Sequence, residues 1–541
     1  MAPTSIPRQP ARRASDTAPA AARARRLVVP LLLFVFVIQA FTAIRTKSAT
    51  WDETNYFGMG DYLLRNHRWD VPSSVLHPPL AFYLNAIPVL FAEMDRTVWV
   101  YDPVKARTPG FLGAADEDRG RALLSAPANR DDRLLLASRL MTMLQALLLG
   151  YFVYRFAAAL YGWNAGVLAL SLFAFCPNML AHGSLVTADM TVTAFTFIAI
   201  YYLRDAIAGG KPSSFILAGI TLGLALLSKF TALLLLPIEA TVLGFAILRE
   251  RRISYRWIAA GAACAILVFL AGYLFNPAPY FEGLEIQRSH TRHSAFLMGE
   301  ISAGGWWYYC LTAFALKTPI PVLLGLAMAA GTLGVRVARR VVGLDDLALW
   351  LPVVAVFVFF SIELRSIGLR YVLPVYPFIF VLASGAFLSL KRLRYPLLAI
   401  MLWYVAGTVA VWPHHLAYFN ESVGGPANGY RYLVDSNLDW GQDLKGLKAF
   451  MDSKGIDRIY LSYFGLDTPD RYGIRYDWLP SYELRNPKPQ ATVNVERGRY
   501  LAISVTNLQG VYMQPPDMFR WLDRYTPVAT IGHSIFVYHL E

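Results

Sequence analysis

The sequence LVVPLLLFVFVIQAFTAI, residues 27–44, is followed closely by WDETNY, residues 51–56. An apolar run of this length is typical of a helix that crosses a membrane. It could also be a signal peptide, but FTAIR at 41–45 is a poor cleavage site, which favours an uncleaved helix. The two carboxylates of WDETNY then lie beside a membrane boundary, where ionised groups cost free energy unless they have a function.

The composition is that of a membrane protein. The 541 residues are 56% hydrophobic and 14% aromatic, with a mean hydropathy of +0.39, which is too apolar for a soluble enzyme of this length. The net charge of +13 could suggest nucleic acid, but Lys and Arg lie in short clusters between apolar runs, so we predict no nucleic-acid partner. Three cysteines without metal-ligand spacing leave the redox compartment open: Cys176, Cys264 and Cys310.

Eleven apolar runs predict membrane spans. The stretch 214–248 as one helix would measure about 50 Å, too long for a bilayer core of about 30 Å, so we divide it at Ser228 and Lys229. Residues 1–26 are rich in Ala, Pro and Arg without apolar periodicity, which predicts a disordered cytoplasmic tail. The predicted spans are 27–44, 134–154, 164–181, 190–203, 214–228, 230–248, 257–275, 318–335, 347–361, 371–390 and 396–412.

The basic clusters predict the orientation. With eleven spans they all fall on the same side as the Arg-rich tail, which the positive-inside rule makes cytoplasmic. We therefore predict a multi-pass protein of the inner (cell) membrane with a cytoplasmic N-terminus and two large extracytoplasmic loops, 45–133 and 276–317. In the first loop, the apolar residues 79–92 are too short to span and predict a re-entrant or interfacial helix. The clusters are centred on Arg155, Arg204, Arg249, Arg336 and Lys391.

The character of the chain changes at about residue 414. Residues 458–464 and 500–505 predict short buried strands, and residues 438–453 predict an amphipathic helix. The fold class is thus a polytopic α-helical membrane domain, 27–413, followed by a soluble extracytoplasmic α/β domain, 414–541.

Three carboxylates are candidate catalytic groups on the outer side. Asp52 and Glu53 follow the first span, and Asp189 opens the fourth. A carboxylate there could act as a general base for an acceptor hydroxyl, and Asp52 with Asp189 could hold a divalent metal ion. Acidic residues are also favoured in the first turn of any helix, which would explain the pair Asp52 and Glu53 about as well as catalysis.

Five basic residues are candidates for binding an anion. Lys229, Lys317, Arg365 and Arg370 lie at the outer ends of spans, where the positive-inside rule predicts few, and His77 precedes a diproline in the first loop. Snorkelling would account for any one of the four span-end residues, and an exposed His before a proline-initiated helix, as at His77, is common. Together, opposite two acidic sites, they suggest a cradle for a phosphate or pyrophosphate, for which Arg370 is the best suited to bidentate contact.

The second outer loop combines basic and aromatic residues. His290 and His293 lie in QRSHTRH, residues 287–293, and GGWWYY follows at 304–309. Aromatic faces beside polar groups suit sugars, so we include both histidines among the candidate substrate-binding residues. An interfacial aromatic belt explains the Trp and Tyr residues equally well.

At these motifs the chain resembles the GT-C glycosyltransferases that use polyprenyl-phosphate sugars, near the protein O-mannosyltransferases and the lipid A aminoarabinose transferases. The resemblance covers residues 27–412. The segments 420–426 and 435–443 also look like bacterial members labelled phospholipid-carrier-dependent glycosyltransferases. The motifs that carry the resemblance are Asp52 with Glu53, His77 with Pro78 and Pro79, Thr187 with Ala188 and Asp189, and Arg370 with Tyr371 and Pro374.

The resemblance implies roles for individual residues. Asp52 would be the base, and Asp189 would support it or a metal ion. The aminoarabinose transferases carry Lys before the diproline, whereas this chain has His77 and so lies nearer the mannosyltransferase pattern.

The implied reaction is inverting transfer of a sugar from a polyprenyl-phosphate donor to a protein, lipid or glycan acceptor on the extracytoplasmic side. No cofactor is demanded by the sequence, although a divalent metal ion stays open. The alternatives are a transporter or flippase of lipid-linked sugars and a non-catalytic scaffold that presents the C-terminal domain. Transporters place ionisable groups near the bilayer midplane, whereas the candidates here lie at one face.

Overall fold

The computed structural model describes residues 19–99, 114–129, 132–249, 253–289, 294–364, 366–389, 394–482 and 495–541. Helices dominate up to residue 411, and a mixed sheet follows after residue 457. The helices before the sheet are α1 (Pro19–Ile44), α2 (Trp51–Asn66), α3 (Pro72–Val75), α4 (Leu80–Leu90), α5 (Ala114–Ser125), α6 (Asp132–Tyr161), α7 (Trp163–Ala174), α8 (Pro177–His182), α9 (Ala188–Gly209), α10 (Pro212–Leu226), α11 (Leu235–Leu248), α12 (Tyr255–Gly272), α13 (Ala278–Ser289), α14 (Tyr309–Lys317), α15 (Ile320–Ala338), α16 (Leu344–Glu363), α17 (Tyr376–Ser389), α18 (Arg394–Val411) and α19 (Leu444–Lys454).

The chain is a multi-pass membrane protein, as the sequence predicted. Among the described residues, eight helices are long and apolar enough to span a bilayer, and each coincides with a predicted span. The other three predicted spans fall on the shorter apolar helices α7, α10 and α18, so the count of eleven stays a prediction. The division at Ser228 is present, because α10 ends at Leu226 and a new 3₁₀ turn begins at Phe230.

The first helix begins earlier than predicted. Residues 1–18 of the predicted tail lie outside the described part of the chain, but α1 begins at Pro19 and therefore includes the last residues of that tail. Their Ala and Arg content favours a helix, which the apolar periodicity of a span does not reveal.

The packing of the spans separates a central element from peripheral ones. In the span Leu369–Ser389, 83% of the residues in the most apolar stretch are buried. In Tyr255–Gly272 the corresponding share is 11%, so this helix lies at the edge of the bundle. That edge helix still approaches α10 closely. The backbones are so near at Gly219 that a Cβ there would collide with the backbone carbonyl of Gly261. Small residues permit such contacts between membrane helices. The central span begins with the 3₁₀ segment Leu369–Val375, which contains Arg370.

The predicted α/β domain is present after the last span. Its sheet contains the strands β3 (Arg458–Ser462), β4 (Arg475–Trp478), β5 (Tyr500–Ser504), β6 (Ala529–Ile531) and β7 (Ile535–His539), in the order β4-β3-β5-β7-β6. β3 pairs in parallel with β4 and β5, and β7 pairs antiparallel with β5 and β6. The short helix α20 (Val505–Leu508) follows β5, and a separate hairpin in the second outer loop pairs β1 (Ala295–Leu297) with β2 (Glu300–Ser302).

The amphipathic helix of this domain is shorter than predicted. Its apolar face, which includes Leu447 and Met451, packs on the sheet, but the helix extends only over Leu444–Lys454. Asp435 and Gly441 have φ values of 57° and 87°, in the left-handed region where a right-handed helix cannot continue. Residues 435–443 therefore form turns, from which Asn437 and Trp440 reach the membrane domain.

Candidate active site

The structure joins two predicted site residues that lie far apart in sequence. Asp52 is in the first turn of α2, and its Oδ2 accepts a hydrogen bond from Nη1 of Arg370. The same Nη1 lies 3.9 Å from Oδ2 of Asp189, at the start of α9. The guanidinium group of Arg370 therefore lies between the two carboxylates.

A second cation extends this arrangement. Nζ of Lys229 donates to Oδ1 of Asp189 over 2.7 Å and lies 4.7 Å from the ring centroid of Tyr371. Charges thus alternate from Asp52 through Arg370 and Asp189 to Lys229. Alternation lowers the cost of burying each charge, because every ionised group has an opposite neighbour.

We call Asp52, Arg370, Asp189 and Lys229 the charged array. Two polar atoms of this array have no hydrogen-bond partner among the described residues. They are Nε of Arg370 and Oδ2 of Asp189, and both are buried. A buried donor without a partner is costly, so such atoms in native proteins commonly face a ligand or water. The array can therefore receive a further polar group, and an anion would complement the free donor of Arg370.

Residues that were not predicted complete the walls. The ring of Trp440 lies 4.5 Å from Cζ of Arg370, and the buried ring of His182 contacts Trp440 edge to face. Burial lowers the pKa of His182 to about 4 against the opposing influence of Asp189, so its imidazole is neutral. In a chain with 13 Trp and 30 Tyr, no aromatic residue could be selected from sequence, although Trp440 lies in a segment that carries the resemblance.

Tyr56 connects His77 to the array. Its ring stacks on those of His77 and Phe82, with centroid distances of 5.7 and 4.7 Å. Burial raises the pKa of the Tyr56 phenol well above its usual value, and the nearby carboxylates of Asp52 and Asp189 raise it further. The phenol therefore stays protonated and can donate a hydrogen bond. His77 stacks on the Tyr56 ring, which lies beside the carboxylates of the array.

Glu53 does not face the array. Its two oxygens accept hydrogen bonds from Nε and Nη2 of Arg139 over 2.7 and 2.6 Å, and from the backbone N–H groups of Thr50 and Val186 over 2.9 and 3.0 Å. The carboxylate is fully buried. With its acceptor positions used, Glu53 fixes α2 against α6 and the loop before α9, so this geometry does not support its predicted catalytic role, which stays a prediction.

Lys317 is not part of the array. Nζ of Lys317 donates to the backbone carbonyls of Leu416, Tyr418 and Asn437, which uses all three of its donors. Lys317 thus joins the membrane domain to the C-terminal domain instead of offering a phosphate site. Arg365, His290 and His293 lie outside the described residues.

The array does not suit a divalent metal ion. The Arg370 guanidinium occupies the space between Asp52 and Asp189, and Lys229 binds Asp189 on the other side. Hard cations need several oxygen ligands, and no group of three or more His, Cys, Asp or Glu residues occurs in the described part of the chain. Two carboxylates already paired with two cations do not fit such an ion.

Comparison with known proteins gives the fold. Residues 132–274 match the family profile described as dolichyl-phosphate-mannose-protein mannosyltransferase. The crystal structure of ArnT from Cupriavidus metallidurans bound to undecaprenyl phosphate is 15% identical, covers 96% of this chain and 98% of its own, and superposes with a TM-score of 0.50. The chain has the GT-C fold.

Two further solved structures are similar to the chain over part of its length. AglB of Archaeoglobus fulgidus, in complex with an inhibitory peptide and a dolichol-phosphate, is 14% identical over 73% of this chain and 54% of its own, with a TM-score of 0.46. The Saccharomyces cerevisiae protein O-mannosyltransferase Pmt1–Pmt2 complex is 18% identical over 49% of this chain and 34% of its own, with a TM-score of 0.29. No curated protein sequence matches the chain significantly. The resemblance to GT-C glycosyltransferases is confirmed.

Proposed function

We propose that this GT-C protein transfers a sugar from a polyprenyl-phosphate donor to an acceptor on the extracytoplasmic side of the inner membrane. The array of Asp52, Arg370, Asp189 and Lys229 carries the proposal. It combines a candidate base with two cations for a phosphate at one end of the spans. The family-profile match over residues 132–274 supports the same class of reaction.

An apolar groove next to the array supports a lipid-linked donor. The groove lies between α9, α11, α16 and the span that begins at Leu369, and Tyr371 lines the end nearest Lys229. The groove is narrow, with a cavity volume of about 20 Å³, so a polyprenyl chain would have to displace its lining side chains before it could bring its phosphate to Lys229 and Arg370. Other lining residues are Val192, Thr196, Thr231, Ala232, Ile238, Pro352, Val356, Phe360 and Phe378.

The proposed chemistry is a single displacement. Asp52 takes the proton of an acceptor hydroxyl or amide as the acceptor atom attacks the anomeric carbon. The bond from that carbon to the phosphate oxygen breaks, and the configuration inverts. The charge that develops on the leaving phosphate is stabilised by Arg370 and Lys229, an effect that is largest in a site that excludes water. Because phosphate leaves without protonation, no second carboxylic acid is needed, in contrast to glycoside hydrolysis.

The ion pair of Asp52 and Arg370 links the donor to the base. Arg370 engages Oδ2 of Asp52, which leaves the second carboxylate oxygen to take the proton of the acceptor. A donor phosphate competes for the guanidinium group, because charge-assisted bidentate contacts to phosphate are strong. Donor binding thereby frees Oδ2 as a second position for the proton.

The test uses membrane vesicles supplied with a radiolabelled polyprenyl-phosphate sugar. Asp52→Asn should lower the rate of label transfer at least about 100-fold, the usual contribution of a general base, and Asp189→Asn should also lower it. Asp70→Asn, which changes an exposed carboxylate that accepts from Tyr62 in the same loop, should transfer at the wild-type rate. Wild-type rates in Asp52→Asn would refute the role of Asp52.

The proposal names the class of the sugar and the class of the acceptor, not the individual molecules. A hexosyl or pentosyl donor, with a mannosyltransferase-like site because of His77, is the form that the sequence pattern favours. Comparing the glycans of envelope proteins and lipids in cells with and without the gene would identify both. Loss of a glycan from proteins alone would establish a protein acceptor.

One observation favours a lipid-linked sugar flippase as a second candidate. Glu239 is buried within the span Phe230–Leu248, and its Oε1 has no hydrogen-bond partner among the described residues. Intramembrane carboxylates commonly mark transport pathways. A flippase would move the labelled lipid across the vesicle membrane without transferring its sugar, and it would lose this movement in Glu239→Gln.

A further inference from the structure

Residues 435–443 of the C-terminal domain, DSNLDWGQD, contact Arg370 and the backbone immediately before Asp52. The contacts involve side chains and backbone atoms of the turns that replace the first part of the predicted helix. This segment carries the resemblance to bacterial GT-C proteins, but no part of the proposed chemistry uses it. Its position suggests a role in the reaction centre.

On the Arg370 side, Trp440 and Asn437 make the contacts. The Trp440 ring, which is 2% exposed, lies 4.5 Å from the guanidinium carbon of Arg370. Asn437 holds the backbone just before Arg370, because its Oδ1 accepts from the N–H of Leu369 over 2.9 Å and its Nδ2 donates to the carbonyl of Ile367 over 3.1 Å. The arginine is therefore fixed at its backbone and at its charged end.

The same two polypeptide segments also meet beside Arg370. A Cβ added to Gly368 would collide with the hydroxyl of Ser436, so that side chain would have to rotate away. Asp435 adds a carboxylate to the environment of Arg370 and accepts a hydrogen bond from the Tyr512 hydroxyl over 2.6 Å. The segment thus surrounds the guanidinium group with an aromatic face and a negative charge.

On the Asp52 side, the contacts are made through the backbone. The carbonyl of Trp440 accepts from the N–H of Trp51 over 2.9 Å, immediately before Asp52. Ser48 donates its N–H to the carbonyl of Gln442 over 2.9 Å and its hydroxyl to that of Gly441 over 3.0 Å. These bonds satisfy donors near the N-terminus of α2 and fix where that helix begins.

We propose that residues 435–443 position both Asp52 and Arg370, which makes the C-terminal domain part of the reaction centre and not a separate acceptor-binding module. Trp440 and Asn437 are the main positioning residues. The catalytic role of Asp52 and Arg370 rests on the proposed function, whereas their positioning by residues 435–443 does not.

The first experiment measures the position of Arg370 independently of activity. Purified full-length protein is treated with phenylglyoxal, and the rate at which Arg370 is modified is followed by peptide mass spectrometry. Loss of one buried cation–π contact in Trp440→Leu should raise this rate about tenfold, and Trp440→Phe should give an intermediate rate. The control Trp478→Leu removes a half-buried Trp from β4 of the same domain and should leave the rate unchanged.

A second pair of variants tests the backbone contact. Asn437→Ala should also raise the modification rate of Arg370. The matched control is Asn507→Ala, which removes another buried amide of the same domain, whose Nδ2 donates to the Ser462 hydroxyl over 3.0 Å. The thermal midpoint of each variant shows how much of a change reflects general destabilisation.

The outcomes separate the two proposals. Faster modification in Trp440→Leu and Asn437→Ala than in their controls, with rescue in Trp440→Phe, supports the positioning role. Equal rates in variants and controls overturn it. If the wild type transfers sugar from no polyprenyl-phosphate donor, the proposed function fails, and the modification rates still decide whether residues 435–443 position the pair.

Discussion

Two adjacent acids have different environments at the scale of single residues. Successive side chains of a helix point about 100° apart, so Asp52 and Glu53 cannot both face the same partner. Asp52 pairs with Arg370, whereas Glu53 is buried against Arg139. The sequence could not distinguish them, because Arg139 lies inside a long apolar helix and nothing local shows that it reaches α2.

Glu53→Ala should destabilise the protein more than Asp52→Ala does. Removing Glu53 leaves the buried Arg139 guanidinium without its carboxylate, which typically costs about 3–5 kcal/mol. Removing Asp52 leaves Arg370 near Asp189, so the loss should be smaller. Thermal unfolding of the detergent-solubilised variants measures the difference. A larger loss in Asp52→Ala would contradict the structural role of Glu53.

The sequence located the charged members of the array but not their neighbours. Asp52, Asp189, Lys229 and Arg370 could be selected because ionised groups at span ends are rare and lie on one predicted side. Lys317 met the same criterion, yet three backbone carbonyls of the C-terminal domain surround it. Such carbonyls leave no signal in the sequence.

At the scale of elements, Asp61 joins three helices of the first outer loop. Its carboxylate is fully buried and accepts from Arg65, Arg96 and Arg119. Two of these arginines also donate to carbonyls at the end of α4, Arg65 to Leu90 and Arg96 to Val89. The positive charge of these arginines is favourable at the C-terminus of α4, the predicted re-entrant helix, because that end carries the negative pole of the helix dipole.

Asp61→Ala should loosen this loop. Three guanidinium groups lose their shared carboxylate, so we expect faster cleavage between residues 66 and 99 in limited proteolysis and a lower thermal midpoint. Asp457→Ala removes an exposed carboxylate that pairs with Arg475 on the surface and should change neither. Unchanged proteolysis of Asp61→Ala would show that α2, α4 and α5 are held by their apolar contacts alone.

A buried acid near β5 predicts a dependence of stability on pH. Burial raises the pKa of Asp439 to about 8, although the N–H of Thr506 donates to it over 3.0 Å. Between the unfolded pKa of about 4 and the folded value, the folded state binds more protons, so stability falls as pH rises.

Asp439→Asn should remove this dependence. The variant should gain stability relative to wild type as pH rises from 5 to 8, because the amide does not ionise. Thermal midpoints of both proteins measured across that range provide the test. Parallel curves would mean that Asp439 is already ionised in the folded protein.

At the scale of the whole molecule, the sequence predicted the spans and the division into two domains more fully than the arrangement of the sheet. Apolar runs reveal membrane helices because a bilayer sets their length. The strand order β4-β3-β5-β7-β6 mixes parallel and antiparallel pairs, and it joins β3 to β5 and β5 to β7, which are not consecutive in the chain, so periodicity does not encode it. The GT-C fold was predicted from the order of short motifs and is confirmed, whereas the number of spans and the orientation stay predictions.

The predicted topology can be tested with single cysteines. In a background with Cys264 replaced by Ser, the native Cys176 and Cys310 are buried. A cysteine at the exposed Ser453 should react with a membrane-impermeant maleimide in intact cells, and one at the exposed Arg339 should react only after permeabilisation. Reaction of both from outside would show that an even number of spans separates the two positions from each other.

The bond from the Trp51 N–H to the Trp440 carbonyl has a consequence for biosynthesis. Asp52 leaves the ribosome early, but the segment that fixes it is made only after all the predicted spans. If the proposed function holds, a nascent chain still being inserted lacks a positioned base and cannot consume lipid-linked donors in the membrane. Activity would then begin only when the C-terminal part of the chain has folded.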